Sequence, residues 1–223
     1  MTKKQKRAKL IVKKLKELFP NIKTALNFSN DWELLVAVIL SAQCTDKRVN
    51  LVTEKLFKKY PSLDDYIRAN KKEFEQDIKS TGFYRNKAKN ILAAAGMIKQ
   101  DFHGKIPKTM DQLIRVPGVG RKTANVVLGN AHGVIEGIAV DTHVTRLAGK
   151  FGLTKEKNPQ RIERDLMKII PKKDWFLFTN LMIEYGRLYS PAYKKHDNSD
   201  PISQLLVGQD AKKIISTQKK TIQ

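Results

Sequence analysis

A glycine turn followed at once by basic residues is the first feature of this sequence that could do chemistry. The segment Leu113–Ala124 reads LIRVPGVGRKTA, so Gly118 and Gly120 come directly before Arg121 and Lys122. Glycines one residue apart let backbone amides approach an anion closely, and a helix that starts after them adds its positive end. A tight turn without a ligand is the alternative, since Gly-x-Gly is common. The pattern indicates a site for a phosphate group.

Two side chains, Lys122 and Asp141, could take part in catalysis. Lys122 falls in the first turn of the predicted helix, where the helix's positive end and Arg121 favour a neutral, nucleophilic amine. The alternative is a solvated or phosphate-contacting lysine. Asp141 follows the apolar run Ile138–Val140 and precedes a helix predicted from Thr142. A carboxylate held there could stabilise developing positive charge or cap the helix, and the two roles are compatible.

The composition limits the class of protein and its partners. Among 223 residues, 43 Lys and Arg stand against 22 Asp and Glu, which gives a formal charge of +21. Such a charge repels itself unless a polyanion offsets it, and nucleic acid is the obvious polyanion. The single cysteine, Cys44, excludes an intramolecular disulfide and a four-cysteine cluster and fits an intracellular protein. The longest apolar run, Leu34–Leu40, is far shorter than the roughly 20 residues that cross a membrane.

The elements that must position these residues are predicted to be helices. Apolar residues recur at helical spacing along most of the chain, and the β-branched run Ile138–Val140 has no neighbouring strand to pair with. The sequence therefore predicts an all-α fold, with a lysine-rich tail from Ala211 onward. Helices are expected at Lys3–Phe19, Trp32–Gln43, Lys47–Lys59, Leu63–Asn70, Lys72–Ser80, Lys87–Lys99, Met110–Arg115, Lys122–Ala131, Thr142–Phe151, Arg161–Ile170 and Trp175–Tyr185.

Four segments together give the sequence a specific resemblance to a known family. They read LSAQCTD at 40–46, GFYRNKA at 82–88, VPGVGRKTANVV at 116–127 and AVDTHVTR at 139–146. With them the chain resembles the helix-hairpin-helix DNA glycosylases of the endonuclease III type, from about Asn30 through Arg187. The resemblance implies two helical lobes with a DNA-binding cleft between them. Residues 23–136 would form one lobe, with the hairpin at about 110–129, and residues 1–22 and 137–223 would form the other.

The resemblance also implies catalytic and backbone-binding roles. Lys122 would attack the sugar of a damaged nucleotide, form a Schiff base and permit β-elimination. Asp141 would stabilise the positive charge that builds on the sugar. Related glycosylases that only excise bases lack this lysine, so its presence argues for lyase activity. The hairpin would bind the DNA backbone through four residues, which are Gly118, Gly120, Arg121 and Thr123.

Further residues match family positions that contact the duplex or an ion. Gln43 and Phe83 would fill or wedge open the gap left by an extruded base. A buried glutamine at a helix end and an aromatic residue of the core are the alternatives for these two. His143 would bind phosphate or order the Asp141 loop, and we favour the second role. A monovalent cation, Na⁺ or K⁺, would be held by three backbone carbonyls, those of Ile114, Val116 and Val119.

The C-terminal part of the chain departs from the family pattern. Endonuclease III-type enzymes usually carry four cysteines there, separated by six, two and five residues, that hold an iron-sulfur cluster. The corresponding positions here are Ser190, Asp197, Asp200 and Leu206, so we expect no cluster and no required cofactor. A polar surface loop is favoured over another metal site at His196, Asp197 and Asp200. Apolar packing is expected to hold the lobe instead, through Tyr189, Tyr193, Ile202, Leu205 and Leu206.

The sequence thus predicts a bifunctional DNA glycosylase and abasic-site lyase of base excision repair. Its partner would be double-stranded DNA with damaged bases or abasic sites, and oxidised pyrimidines are the substrate class that the resemblance implies. A glycosylase for mismatched or deaminated bases and a non-catalytic helix-hairpin-helix DNA-binding module are the alternatives. We expect a monomer without membrane association that acts in the cytoplasm, at the nucleoid, if the source is prokaryotic.

Overall fold

The structure, a computed structural model, describes residues 1–22, 24–194 and 196–208, and every regular element in these ranges is helical. The predicted all-α fold is therefore confirmed for this part of the chain, and the expected tail from Ala211 lies outside it. Over the same ranges, no helix has both the length and the apolar character needed to cross a membrane. The α-helices are α1 (Lys3–Leu18), α2 (Asp31–Leu40), α3 (Asp46–Lys59), α4 (Leu63–Arg68), α5 (Lys71–Asp77), α6 (Tyr84–Asp101), α7 (Met110–Leu113), α8 (Arg121–His132), α9 (Thr142–Lys150), α10 (Pro159–Ile169) and α11 (Trp175–Leu188). Short 3₁₀ turns lie at Lys79–Thr81, Lys172–Asp174 and Ala192–Lys194, and residues 201–208 are helical.

The helices group into two units. The first unit, Thr24–Ala139, contains α2 to α8. Helix α2 lies at its centre, since every residue of Leu34–Leu40 is buried and the helix packs against α3, α6 and α8. Its start is fixed by Asn30, whose side chain accepts a hydrogen bond from Glu33 N at 2.9 Å. Burial of such side chains contributes roughly 1.5–3 kcal/mol each, so this helix anchors the unit.

The second unit comprises the described parts of Met1–Lys23 and Val140–Gln223. Helix α1 begins with a capping box in which Thr2 and Gln5 satisfy each other's backbone amides. The apolar stripe of α1 is buried, and α1, α9, α10 and α11 pack against one another. This packing holds the start of α9, which carries Asp141 and His143.

Two helix boundaries differ from prediction in a way that shapes the surface. Helix α2 ends at Leu40 rather than at Gln43, and α6 begins at Tyr84 rather than at Lys87. Gln43 has φ 53°, so α2 could not continue through it as predicted, and Phe83 has φ 48°, so α6 can begin no earlier than Tyr84, three residues before the predicted start. A left-handed residue cannot continue a right-handed helix. Both residues therefore stand at turns beside helix ends.

A buried network of charged and polar side chains, centred on Asp200, follows α11. The Asp200 carboxylate lies 2.8 Å from Lys150 Nζ, with side chains only 2% and 8% exposed. It also accepts hydrogen bonds from Tyr185 OH, from Ser203 N at 3.0 Å and from Ser203 Oγ at 2.7 Å. Lys150 Nζ in turn donates to Ser190 Oγ at 3.0 Å. We call these five residues the Asp200 network.

The network corrects the expectation of a polar surface loop at this place. Burial alone disfavours a charged Asp200, but the hydrogen bonds from Lys150, Tyr185 and Ser203 outweigh it and hold the pKa of the carboxyl below its ordinary value. Asp197 and His196 are exposed, as a surface loop requires. The prediction was wrong for Asp200 because its partner Lys150 comes from α9, far back in the sequence.

Apolar packing in this segment is only partly as predicted. Ile202 is fully buried and Leu206 is 7% exposed, so both support the unit. Tyr193 is 84% exposed and does not pack in the core, whereas the ring of Tyr189, although the residue is 41% exposed, packs against the rings of Tyr185 and Phe19 at centroid distances of 5.3 and 6.1 Å. Charge pairing and apolar packing therefore both stabilise this part of the chain.

Candidate nucleic-acid interface

The hairpin between α7 and α8 is built around two buried valines and a left-handed glycine. Val116 and Val119 are 2% and 6% exposed, and Val119 N donates to Val116 O at 3.0 Å, which closes the turn. Gly118 has φ +80°, and a Cβ added there would stand 2.9 Å from the Cβ of Asn90. Glycine is thus required at position 118 by conformation and by space.

The start of α8 presents backbone amides on an exposed surface. Its N-cap is Gly120, which has no side chain to accept hydrogen bonds from the first turn. Gly118, Gly120 and Arg121 are exposed, and Thr123 is half-buried. The first-turn amides and the positive helix end form the kind of surface that binds an anion. The structure therefore places these four predicted backbone-binding residues together.

Lys122 is exposed in the first turn of α8, directly after the glycine turn. Its amine can thus be reached by a ligand seated at the hairpin. The backbone of Lys122 is held within α8, and its long side chain extends from the exposed face of this helix. This placement suits a nucleophile.

Asp141 is the N-cap of α9, half-buried at the end of an apolar segment. Its Oδ1 accepts a hydrogen bond from Val144 N at 2.8 Å, so the capping role considered in the sequence analysis is confirmed. The preceding Ile138–Val140 is buried, which holds the carboxylate in a defined place. Because the cap uses one carboxylate oxygen, a second role for the group remains compatible with it.

His143 lies two residues beyond Asp141 and is half-buried. Burial lowers the pKa of His143, and the neighbouring Asp141 carboxylate opposes this only in part, so the imidazole is neutral at pH 7. Among the described residues its Nδ1 is buried without a hydrogen-bond partner, and a Cβ at Gly186 would collide with that atom. A neutral, enclosed imidazole suits ordering of the Asp141 loop better than attraction of a phosphate.

Gln43 and Phe83 both lie on the surface of the Thr24–Ala139 unit. Phe83 is 68% exposed and Gln43 is exposed, so the alternatives of a core aromatic and a buried glutamine are wrong. Each also has a positive φ, which is uncommon for a residue with a side chain and concentrates at functional sites. An aromatic ring held out in water in this way is available to stack on a base.

The carbonyls expected to hold a cation belong to one tight turn, at Ile114, Val116 and Val119. The carbonyl of Val116 accepts one hydrogen bond, from Val119 N, and a carbonyl oxygen has two lone pairs. The local hydrogen bonding therefore leaves acceptor capacity, and oxygen ligands suit a hard monovalent cation. The binding of a cation by all three carbonyls stays a prediction.

The residues at the four cluster positions do not fit an iron-sulfur group. Ser190 and Asp200 are buried in the Asp200 network, Leu206 is a buried apolar residue, and Asp197 is exposed. The only cysteine of the chain, Cys44, is half-buried in the other unit. Over the described residues there is also no group of three or more His, Cys, Asp or Glu that could hold a metal ion.

Sequence reasoning did not single out Lys87, which the structure shows to be 5% exposed in α6. Its Nζ donates to the backbone carbonyls of Leu40 and Thr81, each at 2.8 Å. Burial lowers the pKa of Lys87, with nearby Cys44 acting weakly in the opposite sense. Position was the available signal, because Lys87 shares the apolar stripe of Ile91 at helical spacing.

Comparison with known proteins assigns this arrangement to a family. Residues 36–172 match the family described as HhH-GPD superfamily base excision DNA repair protein. Endonuclease III of Synechocystis sp. is 50% identical over 194 residues, which cover 87% of this chain and 89% of that protein. Endonuclease III of Bacillus subtilis is 46% identical over 188 residues, or 84% of this chain and 85% of that protein.

Solved structures give the same result. A non-covalent endonuclease III–DNA complex superimposes with a TM-score of 0.86 at 43% identity, covering 92% of this chain and 95% of that one. A trapped covalent endonuclease III–DNA intermediate superimposes with a TM-score of 0.85 at 43% identity, covering 91% and 94%. The likeness thus extends over both helical units described above.

Proposed function

The chain belongs to the HhH-GPD superfamily of base excision DNA repair proteins, and from this premise we propose that it is a bifunctional DNA glycosylase and abasic-site lyase. It acts on double-stranded DNA, and the solved relatives it resembles at 43% identity include complexes with DNA. The observation that carries the proposal is the exposed Lys122 in the first turn of α8, immediately after an anion-binding glycine turn.

We assign the hairpin to the DNA backbone. The amides after Gly118 and Gly120 would receive a phosphate oxygen, with Arg121 and Thr123 beside it. The carbonyls of Ile114, Val116 and Val119 would hold a monovalent cation, whose positive charge would add to the attraction for phosphate. This binding is independent of base sequence, so it fixes register on the duplex and leaves damage recognition to the base pocket.

Lys122 is assigned as the nucleophile. Its neutral amine would attack C1′ of the extruded nucleotide, and the glycosidic bond would break with its electron pair leaving on the base, which takes up a proton. The attacking nitrogen gives one proton to the departing base, and the ring oxygen O4′ takes up a proton from solvent as the ring opens, which leaves a protonated Schiff base between Lys122 Nζ and C1′. Loss of a proton from C2′ would then expel the 3′ phosphate, which cleaves the strand.

Asp141 is assigned to charge stabilisation at the sugar. As the glycosidic bond lengthens, positive charge builds on the ring, and a fixed carboxylate stabilises that state more than the ground state. The cap to Val144 N keeps the group in one orientation. Neutral His143, packed beside the same helix start, would help to order it.

Gln43 and Phe83 are assigned to the space left by the extruded nucleotide. The exposed ring of Phe83 would stack between bases, and the Gln43 amide would pair with the orphaned base. Oxidised pyrimidines are the proposed substrate class. The alternative is a glycosylase for mismatched or deaminated bases. The two are separated by comparing base release from oxidised-pyrimidine duplexes with base release from mismatched and uracil-containing duplexes.

Reductive trapping tests the central assignment. Incubation of the protein with an abasic-site duplex and borohydride should yield a covalent protein–DNA product for wild type and for Lys55→Gln, an exposed helical lysine of α3. Lys122→Gln should yield none above background. Equal trapping of Lys122→Gln would remove that amine from the mechanism.

Bacterial relatives and a DNA substrate lead us to expect action in the cytoplasm, at the nucleoid, as a monomer.

A further inference from the structure

Two short surface loops carry the residues assigned to the extruded base's space. We define the wedge loops as residues 41–45, which contain Gln43, and residues 81–83, which contain Phe83. Each of the two residues sits in the left-handed region, with φ 53° and 48°. Such a conformation persists in a residue with a side chain only where the surrounding structure holds it. Contacts from the surrounding structure must therefore hold both loops.

One buried ammonium group joins the roots of both loops. Lys87 Nζ lies 2.8 Å from the carbonyl oxygen of Leu40 and 2.8 Å from that of Thr81. Leu40 is the last residue of α2, and Thr81 is the last residue of the 3₁₀ turn before Gly82. Gln43 and Phe83 follow these two anchors within three and two residues of chain respectively. The position of each exposed side chain is therefore tied to the same nitrogen.

Further hydrogen bonds hold both ends of the second loop. The carbonyl of Phe83 accepts from Asn86 N and from Lys87 N, each at 3.1 Å. Thr81 Oγ1 donates back to Ile78 O at 2.8 Å, so the first residue of the loop is held as well. Phe83 thus stands between two fixed points, and Lys87 contributes to both through its side chain and its backbone amide.

A buried charge at this place needs a reason beyond packing. Lys87 is 5% exposed on the stripe of α6 that also buries Ala88 and Ile91, where an apolar residue would pack without losing hydration. An apolar residue could not bond two carbonyls at once. Hydrogen bonds from a charged donor are short and strong, so they restrict the distance between the two backbones.

We propose that Lys87 is a positioning residue that fixes the wedge loops against each other, so that Gln43 and Phe83 enter a duplex together at the extruded nucleotide. The inference rests on the proposed function, since it assumes that these two residues meet DNA. It concerns displacement of a base from a duplex and leaves the chemistry at Lys122 unchanged. Substrates that differ in whether a partner strand must be opened will therefore separate the two steps.

Lys87→Met tests this, because methionine keeps the length and apolar stem of lysine but has no donor. Lys89→Met, an exposed position on the same helix, is the matched control. Excision of a damaged base from duplex DNA should fall by about tenfold or more in Lys87→Met, since small displacements of positioning groups are costly. Cleavage of an abasic site in single-stranded DNA should stay within about twofold of wild type. Lys89→Met should match wild type on both substrates.

Two further measurements connect the loss to the wedge loops. With 2-aminopurine beside the lesion, the fluorescence rise that reports unstacking should be reduced in Lys87→Met and retained in Lys89→Met. Phe83→Ala should show the same duplex-specific loss, and adding Lys87→Met to Phe83→Ala should cost far less than it does alone, because coupled residues are not additive. If thermal melting shows Lys87→Met unfolded at the assay temperature, Lys87→Leu, which also lacks a donor, takes its place with the same expected pattern.

The outcomes that overturn the proposal are distinct from those that overturn the proposed function. An equal loss on duplex and single-stranded substrates in a folded Lys87 variant would show a general structural role and refute positioning. Unchanged duplex excision would refute it as well, and so would full additivity with Phe83→Ala. Wild-type protein that cleaves neither substrate would instead refute the enzyme assignment itself.

Discussion

Replacement of Asp200 by asparagine should destabilise the protein strongly, because it leaves the ammonium of Lys150 buried without a counter-charge. Asparagine keeps the shape of the side chain and can still bond Tyr185 and Ser203, so the change removes little besides the charge. Loss of one partner from a buried ion pair costs about 3–5 kcal/mol. In a chain of this size each kcal/mol moves Tm by roughly 2–4 °C, so the expected fall is about 6–20 °C.

The assay is thermal unfolding followed by circular dichroism at pH 7 for four variants of one cycle. Lys150→Met should destabilise the wild type, because it strands the Asp200 carboxylate. In the Asp200→Asn background, the same Lys150→Met should stabilise, because there it removes the stranded charge. Asp197→Asn is the matched control at an exposed position of the same segment and should change Tm by no more than about 2 °C.

The reversal of sign is the decisive part of this experiment. A buried pair that is held by mutual charge compensation must show it, whereas a pair that merely fills space need not. If Lys150→Met destabilised both backgrounds alike, or if Asp200→Asn lowered Tm by less than about 2 °C, the network would not hold the unit in the way argued above.

Three other predictions concern the pH dependence of the Asp200 network, the role of Asp141 and the backbone at Gly118. Because the pKa of Asp200 is lowered on folding, its stabilisation is fully present above the unfolded value near 4 and is lost as pH falls through the folded value, so the gap between wild type and Asp200→Asn in urea unfolding should be constant from pH 7 to about 5 and close below about 4. Asp141→Asn should keep its cap and its Tm while base release falls by about 10²–10³-fold in single-turnover kinetics; a collapse of duplex affinity instead would mark the residue as a cap alone. Gly118→Ala should cost more than about 1 kcal/mol and weaken DNA binding, since φ +80° and the Asn90 side chain both oppose a Cβ, whereas Gly96→Ala, with open space around it in α6, should raise Tm; equal effects would contradict the conformational argument.

The sequence was sufficient where the physical cause is local. Helical periodicity located α1 to α11. The turn of the hairpin was likewise predicted, because Gly118 and Gly120 come directly before a helical segment. Local patterns therefore predicted which helices exist and where this glycine turn lies.

The features that the sequence did not reveal depend on contacts between distant residues. The left-handed backbone at Gln43 shortened α2, and nothing in the residue type announces that conformation. Asp200 reads as a loop residue until Lys150, fifty positions earlier, is known to face it. Lys87 reads as one more surface lysine in a basic chain, and only tertiary structure shows which carbonyls it bonds.

The Asp200 network also has a consequence for how the protein matures. The groups that close this part of the chain, an ammonium, a carboxylate and hydroxyls, are complete as soon as translation ends. Oxidants such as peroxide attack thiolates readily but leave these groups intact. At these positions, then, correct folding is independent of sulfide supply and iron delivery, and a burst of oxidative stress, when repair of DNA is most needed, leaves the support of α9 undamaged.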